Sequence, residues 1–167
     1  MICIEISKGI EHLPESRQLM LYGISILIFL GLVLSIISLR PKTLKRIIWK
    51  SIEIPIEEFL ELRNKKKGNK LASQKCNVPG VYILHNKTKH MYYVGQATHI
   101  VSRVNSHFTG KGNGRIYADY AHDDRFYVRF VTLKKSHMKN LNDLERKYIE
   151  KYKANETGYN RTKGNVS

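Results

Sequence analysis

Residues 79–95, PGVYILHNKTKHMYYVG, contain the pattern that decides the fold of the C-terminal half. Two short runs rich in aromatic and β-branched side chains, GVYILH and MYYVG, flank the polar connection NKTKH. Such runs favour strands, and the short connection predicts a β-hairpin with a two- or four-residue loop centred between Lys87 and Thr88. This register would place Tyr82 directly opposite Tyr93 on one sheet face, although two tyrosines in a hairpin can also be ordinary strand aromatics.

Further periodic segments follow the hairpin. A helical pattern opens near Thr98, and a glycine-rich loop spans residues 110–114. Residues 125–133, RFYVRFVTL, alternate with period two and predict a third strand, whereas residues 141–152 predict an amphipathic helix. The sequence therefore predicts a small α+β domain.

Two cationic side chains, Arg103 and His107, interrupt the apolar stripe of the helix that opens near Thr98. Each can be structural when considered alone, because arginine reaches solvent along its aliphatic stem and histidine can be a hydrogen-bonded core residue. One helical turn apart and beside a tyrosine hairpin, they indicate an anion site. Arginine matches a phosphate, and histidine can transfer a proton near neutral pH.

Glu145 lies near the centre of the apolar face of the last predicted helix. That face is formed by Leu141, Leu144, Tyr148, Ile149 and Tyr152. A carboxylate turned towards a core is costly unless it is paired, protonated or bound to a metal. A salt bridge with a buried arginine and a site for a hard divalent ion such as Mg²⁺ both meet this requirement, and both remain open at this point.

The residues resemble a known family, the GIY-YIG nucleases. GVY at residues 80–82 and YVG at residues 93–95 are similar to its paired signatures, with ten residues between the two tyrosines. Further positions fit the family in order: Arg103, His107, Glu145 and Asn160. The resemblance covers roughly residues 79–164, about half of the chain. Valine replaces isoleucine in both signatures, and Ala97 stands where a small hydroxyl residue is common.

The resemblance implies a three-stranded antiparallel sheet flanked by helices, and hydrolysis of a DNA phosphodiester with one divalent metal. We expect this metal to be Mg²⁺, with Mn²⁺ as the alternative. In the implied mechanism Glu145 binds the metal. Tyr82 orients or deprotonates the attacking water, and Tyr93 positions the phosphate or the water. Arg103 neutralises developing charge, and Asn160 buttresses the site.

The general base stays open between Tyr82 and His107, because a phenol has an unperturbed pKa of about 10 and needs a nearby cation or base to lose its proton. The candidate DNA-binding residues are Arg103, Lys111, Arg115 and Lys163.

The charge of the chain predicts polyanionic partners. Its 167 residues include 29 Lys and Arg against 14 Asp and Glu, a formal net charge of +15. Residues 79–167 hold 16 of the basic and 7 of the acidic residues, so both halves are basic. DNA and the lipid bilayer are therefore both expected partners.

Cys3 and Cys76 lack CxxC spacing, which argues against a disulfide framework or a cysteine zinc site and fits a reducing compartment. We expect no small-molecule cofactor, and the oligomeric state stays open.

Residues 20–39 form an uncharged apolar run between Arg17 and Arg40. At about 1.5 Å per residue this run can cross roughly 30 Å of hydrocarbon, which predicts a single transmembrane helix. A signal peptide is disfavoured by the length of the run, the acidic residues before it and the lack of a small-residue cleavage site. The cations that follow the run, Arg40, Lys42, Lys45, Arg46 and Lys50, predict a cytoplasmic C-terminal part.

The predicted organisation has four parts: an N-terminal tail at residues 1–19, the transmembrane helix at 20–39, a basic juxtamembrane stalk and linker at 40–78, and the nuclease domain at 79–167. Residues 43–63 mix apolar and charged side chains, which fits either two short interfacial helices with Trp49 at headgroup level or a stalk. Residues 64–77 are basic, polar and aperiodic and predict a flexible linker.

The combined expectation is an endonuclease held at the cell membrane that acts on incoming DNA, such as phage or plasmid DNA at entry. Processing of DNA during uptake is an alternative role. A membrane-tethered DNA-binding module with a decayed nuclease site is a second hypothesis, and the intact Tyr82, Tyr93, Arg103 and Glu145 count against it. A lipid-binding adaptor is a third, but it leaves Glu145 on an apolar face unexplained.

Overall fold

A computed structural model describes residues 14–38, 43–67 and 70–164 of the chain, which divides into two compact units, Met1–Pro41 and Lys42–Ser167. Most of the predicted N-terminal tail (residues 1–13), residues 39–42 with the cations Arg40 and Lys42, and residues 68–69 of the predicted linker lie outside the described residues.

The described part of the first unit is one helix, α1 (Glu15–Ser38). This helix is long and apolar enough to cross a membrane, and its large apolar side chains are exposed from Leu19 to Leu32. It starts before the predicted span because helical structure continues into the polar residues ahead of the apolar run. Glu15 in the first turn complements the positive end of the helix dipole.

The described residues of the second unit form short helices and strands. In chain order these are α2 (Leu44–Lys50), β1 (Ile54–Pro55), α3 (Ile56–Asn64), β2 (Lys66–Lys67), β3 (Lys70–Leu71), α4 (Ala72–Cys76), β4 (Gly80–Asn86), β5 (Met91–Ala97), α5 (Ile100–Phe108), α6 (Gly114–Ala121), β6 (Phe126–Thr132), α7 (Leu133–Ser136) and α8 (Leu141–Lys151). The unit is α+β, as predicted.

The main sheet has four antiparallel strands in the order β1-β6-β4-β5, so the prediction of three strands was wrong. The additional strand is β1, in which Ile54 pairs with Val128 and Pro55 with Tyr127. Two residues are too few for a periodic pattern to predict a strand. Pro55 is tolerated in β1 because β1 is an edge strand. The missing N–H of proline therefore costs no hydrogen bond to a second neighbouring strand. β2 and β3 form a separate two-stranded ladder.

The sheet buries both of its faces, as the alternation of side chains along β4 requires. Tyr82 and Leu84 point into a large core that α2, α3, α5 and α6 cover. Val81 and Ile83 point into a smaller core that α8 covers with Leu144, Ile149 and their neighbours. The site described below forms where α5 and α8 approach the β4–β5 hairpin from opposite faces.

Much of the segment predicted as a stalk and linker packs into the large core, and the compact unit begins at Lys42 and not at Pro79. Seven of its apolar side chains are buried: Leu44, Ile47, Ile48, Ile54, Ile56, Phe59 and Leu62. Phe59 of α3 packs against Phe130 of β6 with 5.6 Å between ring centroids. The expected flexible linker instead contains α4, because Ala72 and Cys76 also pack against this core.

This packing predicts where a stable soluble fragment must begin. Burial of one large apolar side chain contributes about 1.5–3 kcal/mol, and a whole domain is stable by only about 5–15 kcal/mol. A fragment of residues 77–167 lacks all seven side chains and is expected to be unfolded, whereas residues 42–167 should unfold cooperatively in urea, followed by circular dichroism. Cooperative unfolding of the shorter fragment would contradict this prediction.

Candidate active site

The β4–β5 hairpin carries the two tyrosines, but its register differs from the prediction. Tyr82 pairs with Gly95, and Tyr93 pairs with Leu84. The four-residue loop is centred one residue later than predicted, because the Asn86 side chain accepts the backbone N–H groups of Thr88 and Lys89 at 3.0 and 3.1 Å and fixes the turn. A shift of two residues in register keeps both tyrosines on one face. Their ring centroids are 6.1 Å apart.

The missing side chain of Gly95 makes room for the ring of Tyr82. A Cβ atom at Gly95 would overlap the Tyr82 hydroxyl and ring carbons. The buried Tyr82 ring, which is 1% exposed, therefore lies across the backbone of the neighbouring strand.

A Gly95→Ala substitution is expected to displace Tyr82 and to lower the free energy of unfolding by about 1–3 kcal/mol, the usual cost of overpacking. Gly114→Ala is the matched control, because a Cβ atom there meets no atom within 4 Å. Urea denaturation of both variants measures the effect. Equal stability of the two variants would mean that Gly95 is not required for this packing.

His107 of α5 links the tyrosines to the loop that follows the helix. It is 1% exposed, and its Nε2 lies 3.0 Å from the Tyr82 hydroxyl oxygen. Its Nδ1 accepts the backbone N–H of Asn113 at 2.9 Å, an approach that a side chain at Gly112 would obstruct. A nitrogen that accepts an N–H cannot carry a proton, so neutral His107 is protonated on Nε2 and donates to Tyr82. Both ring nitrogens are therefore engaged within the protein.

Burial lowers the pKa of His107 to about 4, and the neighbouring Arg103 adds to the effect. In the unfolded chain His107 has an ordinary histidine pKa near 6.5, so as the pH falls it binds a proton in the unfolded chain before it does so in the folded one. The contribution of His107 to stability is therefore complete above pH 6.5 and is lost between about pH 6.5 and 4, by about 3 kcal/mol.

We expect the 42–167 fragment to lose this much more stability over that pH range than its His107→Gln variant. Urea denaturation at a series of pH values tests this. Parallel stability profiles for the two proteins would contradict it.

Arg103 lies on the exposed side of α5, close to both tyrosines. Burial raises the pKa of the Tyr82 phenol well above its usual range, and the neighbouring Tyr93 adds to this, whereas Arg103 opposes it. Burial also raises the pKa of Tyr93, and the carboxylate of Glu145 contributes in the same direction. The two phenols are therefore neutral at pH 7 in the absence of a ligand.

Glu145 of α8 reaches the open edge of β5. Its side chain is almost buried, at 9% exposed. Oε1 accepts the backbone N–H of Gln96 at 3.1 Å, and Oε2 accepts the Gln96 side-chain amide at 3.0 Å. The same amide donates to Asn142 at 2.7 Å, which holds Gln96 in place. These bonds orient the carboxylate along the edge of β5.

Asn160 lies on the same strand edge. Its Oδ1 accepts the backbone N–H of Val94 at 2.8 Å, and its Nδ2 donates to the Val94 carbonyl at 2.7 Å. The preceding Tyr159 donates its N–H to the carbonyl of Tyr92 at 2.9 Å. The C-terminal segment therefore satisfies the backbone groups of β5, a strand edge that would otherwise be exposed.

A cleft of about 230 Å³ opens beside Glu145, and we call it the Glu145 cleft. Its walls include Tyr93, Asn113, Asn160 and Arg161. The described part of the chain contains no group of three His, Cys, Asp or Glu side chains that could hold a metal ion. The single carboxylate nevertheless fits Mg²⁺, which proteins hold with one or two carboxylates while waters and substrate phosphates complete the shell.

The structure thus gathers the six predicted catalytic residues around this end of the hairpin. The other candidate DNA-binding residues lie at the edge of this group of residues or further away. Lys111 is exposed in the loop after α5, and the Arg115 guanidinium lies 5.3 Å from the ring centroid of Tyr159. Lys163 is exposed in a neighbouring groove that also includes Arg146 and Glu150, whereas the adjacent Thr162 lines the Glu145 cleft.

Sequence reasoning missed several residues of the site. These are Gln96, Asn113, Tyr159 and Arg161. Gln96 directly follows YVG and Tyr159 directly precedes Asn160, so proximity in sequence to the predicted residues was the available signal. The role of Asn113 rests on a backbone N–H, which no side-chain pattern can indicate.

The fold and the site together define a small α+β domain with paired tyrosines, an arginine and a carboxylate at one end of an antiparallel sheet. Residues 78–160 match the family model of the GIY-YIG catalytic domain. The chain therefore carries a GIY-YIG catalytic domain. Comparison with curated proteins and with solved structures gives no match. This domain indicates an endonuclease that hydrolyses phosphodiester bonds, and it implies DNA as the substrate. GIY-YIG nucleases generally use divalent metal ions.

Proposed function

We propose that this protein is a membrane-anchored, divalent-metal-dependent endonuclease that cuts incoming foreign DNA at the membrane. The observation that carries the proposal is that Tyr93 and Glu145 line one cleft of a GIY-YIG catalytic domain, with Tyr82 and Arg103 next to Tyr93. A decayed nuclease site has no need to keep these side chains together.

Glu145 would hold the metal, and Mg²⁺ is the ion that its oxygen donor set fits best. When bound, a divalent ion there supplies Lewis-acid polarisation of the scissile phosphate and stabilisation of the leaving oxygen. The hydrogen bonds from Gln96 support this role, because they fix the carboxylate before any ligand arrives. Asn160 would buttress the cleft by holding the C-terminal segment against Val94 of β5.

The attacking water would be oriented by Tyr82, with Tyr93 positioning the phosphate or the water. Hydrolysis forms a bond from the water oxygen to phosphorus and breaks the bond from phosphorus to the leaving oxygen, and the water loses a proton. Arg103 is exposed and close to both phenols, so its guanidinium would neutralise charge that develops on the phosphate.

Tyr82 is the better candidate than His107 for the group that takes the proton of the water. Both ring nitrogens of His107 are engaged within the protein, so the neutral imidazole has no free lone pair to accept a proton. It acts through Tyr82 as a positioning residue, because its Nε2–H donates to the phenolic oxygen and favours any negative charge that forms there. Arg103 acts in the same direction, since it lowers the pKa of Tyr82.

The nuclease proposal is tested by incubating the purified full chain in detergent with plasmid and with single-stranded DNA. We expect cleavage with Mg²⁺, and with Mn²⁺ to a lesser or similar degree, and none with a chelator. A folded chain that binds DNA and cuts neither substrate with any divalent metal would instead support a binding module with a decayed site.

The membrane proposal rests on α1, the apolar helix near the N-terminus, and on the cations that follow it in the sequence. The excess of Lys and Arg after the helix favours a cytoplasmic catalytic domain. We expect cells that produce the protein to resist DNA that enters through the membrane, by infection or as a plasmid. DNA generated inside the cell, by excision from the chromosome, should be spared. Equal loss of both DNAs would contradict an action tied to entry.

A further inference from the structure

The outward side of α2 forms a basic surface that the proposed catalysis does not use. Leu44, Ile47 and Ile48 turn into the large core. Helical periodicity therefore turns the remaining positions of α2 to the opposite side. These positions are Lys45, Arg46, Trp49 and Lys50. Trp49 is only partly buried, so the surface combines three cations with one amphipathic aromatic ring.

Trp49 is shared by two open cavities of this unit. One of about 490 Å³ is lined by the α2 cations together with Thr43. The other, of about 610 Å³, has a largely apolar wall that includes Val78, Leu133 and Met138, with Lys134 at its rim. All charged side chains that line the two cavities are basic. The α7 helix is fastened beside α2, because the Lys135 ammonium donates to the Trp49 carbonyl at 2.5 Å.

We propose that Lys45, Arg46, Trp49, Lys50 and Lys134 form a docking surface for an anionic phospholipid bilayer, which we call the Trp49 surface. This inference rests on the proposed membrane anchoring. Cations next to an anionic leaflet are attracted to its headgroups, and tryptophan prefers the interface between water and hydrocarbon. The Trp49 surface would hold the catalytic unit against the membrane.

The position of the surface in the chain supports lipid as the occupant. Only residues 39–43 separate the end of α1 from the start of α2. A short connection gives the surface a high effective concentration at any bilayer that α1 spans. Duplex DNA is the other available polyanion, but contacts to its backbone use cations and polar donors. The tryptophan and the apolar cavity wall beside it would have no role in such contacts.

The test uses the fact that Trp49 is the only tryptophan of the chain, so intrinsic tryptophan fluorescence reports on this surface alone. The full chain is reconstituted into phosphatidylcholine vesicles with or without phosphatidylglycerol, and lipids brominated near the headgroup serve as quenchers. We expect strong quenching in the anionic vesicles, little in the neutral ones, and a decrease as salt screens the exposed charges.

Charge variants make the test specific. Each cation near an anionic leaflet strengthens binding by roughly fivefold, so Lys45→Gln combined with Lys50→Gln should weaken docking by roughly 25-fold. The matched control is Lys66→Gln with Lys70→Gln, which removes two exposed lysines of β2 and β3 and should leave quenching unchanged.

Equal quenching in neutral and anionic vesicles, or in the variant and the control, would overturn the docking. A shift of Trp49 emission caused by duplex DNA in lipid-free detergent would also overturn it, and would assign the surface to DNA. Vesicle flotation and Mg²⁺-dependent cleavage are measured in parallel. A chain that floats and cuts DNA but shows no quenching refutes the docking alone. A chain that does not float refutes the anchoring, and the docking falls with it.

Discussion

Replacement of Glu145 by glutamine is expected to lower Mg²⁺-dependent DNA cleavage by roughly 10³-fold and to leave the fold intact. Metal-assisted polarisation of a phosphate is worth several kcal/mol, and about 1.4 kcal/mol corresponds to a factor of ten in rate. Glutamine keeps the shape of the side chain and one carbonyl oxygen, which can still accept the N–H of Gln96. The lost charge removes the hard anionic ligand that a divalent ion requires. The measurement is kcat and KM for plasmid cleavage by the full chain in detergent.

Glu150→Gln is the matched control, because Glu150 lies on the same helix and is exposed. We expect this variant to cut DNA at the wild-type rate. Urea denaturation of Glu145→Gln should show a change of only about 1 kcal/mol, the net value of a typical hydrogen bond. Cleavage by Glu145→Gln within about tenfold of wild type would remove Glu145 from the proposed metal site.

Replacement of Tyr82 by phenylalanine is expected to lower kcat by roughly 10²- to 10⁴-fold, the usual contribution of a group that handles a proton in the transition state. The substitution removes the hydroxyl oxygen that lies 3.0 Å from His107 Nε2 and keeps the ring that packs over Gly95. KM should change little, because the buried ring offers DNA no binding surface. Tyr120→Phe is the matched control, since Tyr120 packs against the same large core.

The pH dependence of kcat separates Tyr82 from His107 as the base. The pKa of His107 is lowered to about 4, so a rate that depends on neutral His107 would be flat above about pH 5. Burial raises the pKa of Tyr82 above its usual range, so its ionised fraction increases tenfold per pH unit throughout the neutral and mildly alkaline range. We expect the wild-type rate to rise over that range and the rise to be absent in Tyr82→Phe. A flat wild-type profile would show that Tyr82 does not act by losing its proton.

Local patterns predicted much of the catalytic half. The period-two alternation at residues 125–133 anticipated β6 (Phe126–Thr132), and the helical period at residues 141–152 anticipated α8 (Leu141–Lys151). The same period indicated that Glu145 turns inward, and it is indeed almost buried. These inferences succeeded because side-chain direction in a helix or strand depends only on local backbone geometry.

Long-range contacts escaped the same reasoning. The sheet has a fourth strand because two residues, Ile54 and Pro55, lie beside β6, more than 70 positions later in the chain. The mixed apolar and charged segment around α2 and α3 was interpreted as a stalk, although its apolar side chains fill one face of the sheet. Composition alone does not distinguish a helix that packs on a remote sheet from one that lies on a membrane.

The sequence by itself determined which chemical groups this protein brings to its site: two tyrosines on one strand face, a cationic pair one helical turn apart, and an inward carboxylate. Their spacing along single elements is a property of local geometry, which the order of residues specifies directly. Only the tertiary structure decided how those groups meet. The Asn86 turn sets the hairpin register, the N–H of Asn113 sets the proton position on His107, and Gln96 holds Glu145 across 49 positions of chain. The Asn86 turn is local, and the sequence reasoning overlooked it. The Asn113 bond depends on a backbone N–H, which no side-chain pattern indicates. The bond to Glu145 exists only after remote backbone segments have packed, so no local pattern could have specified it.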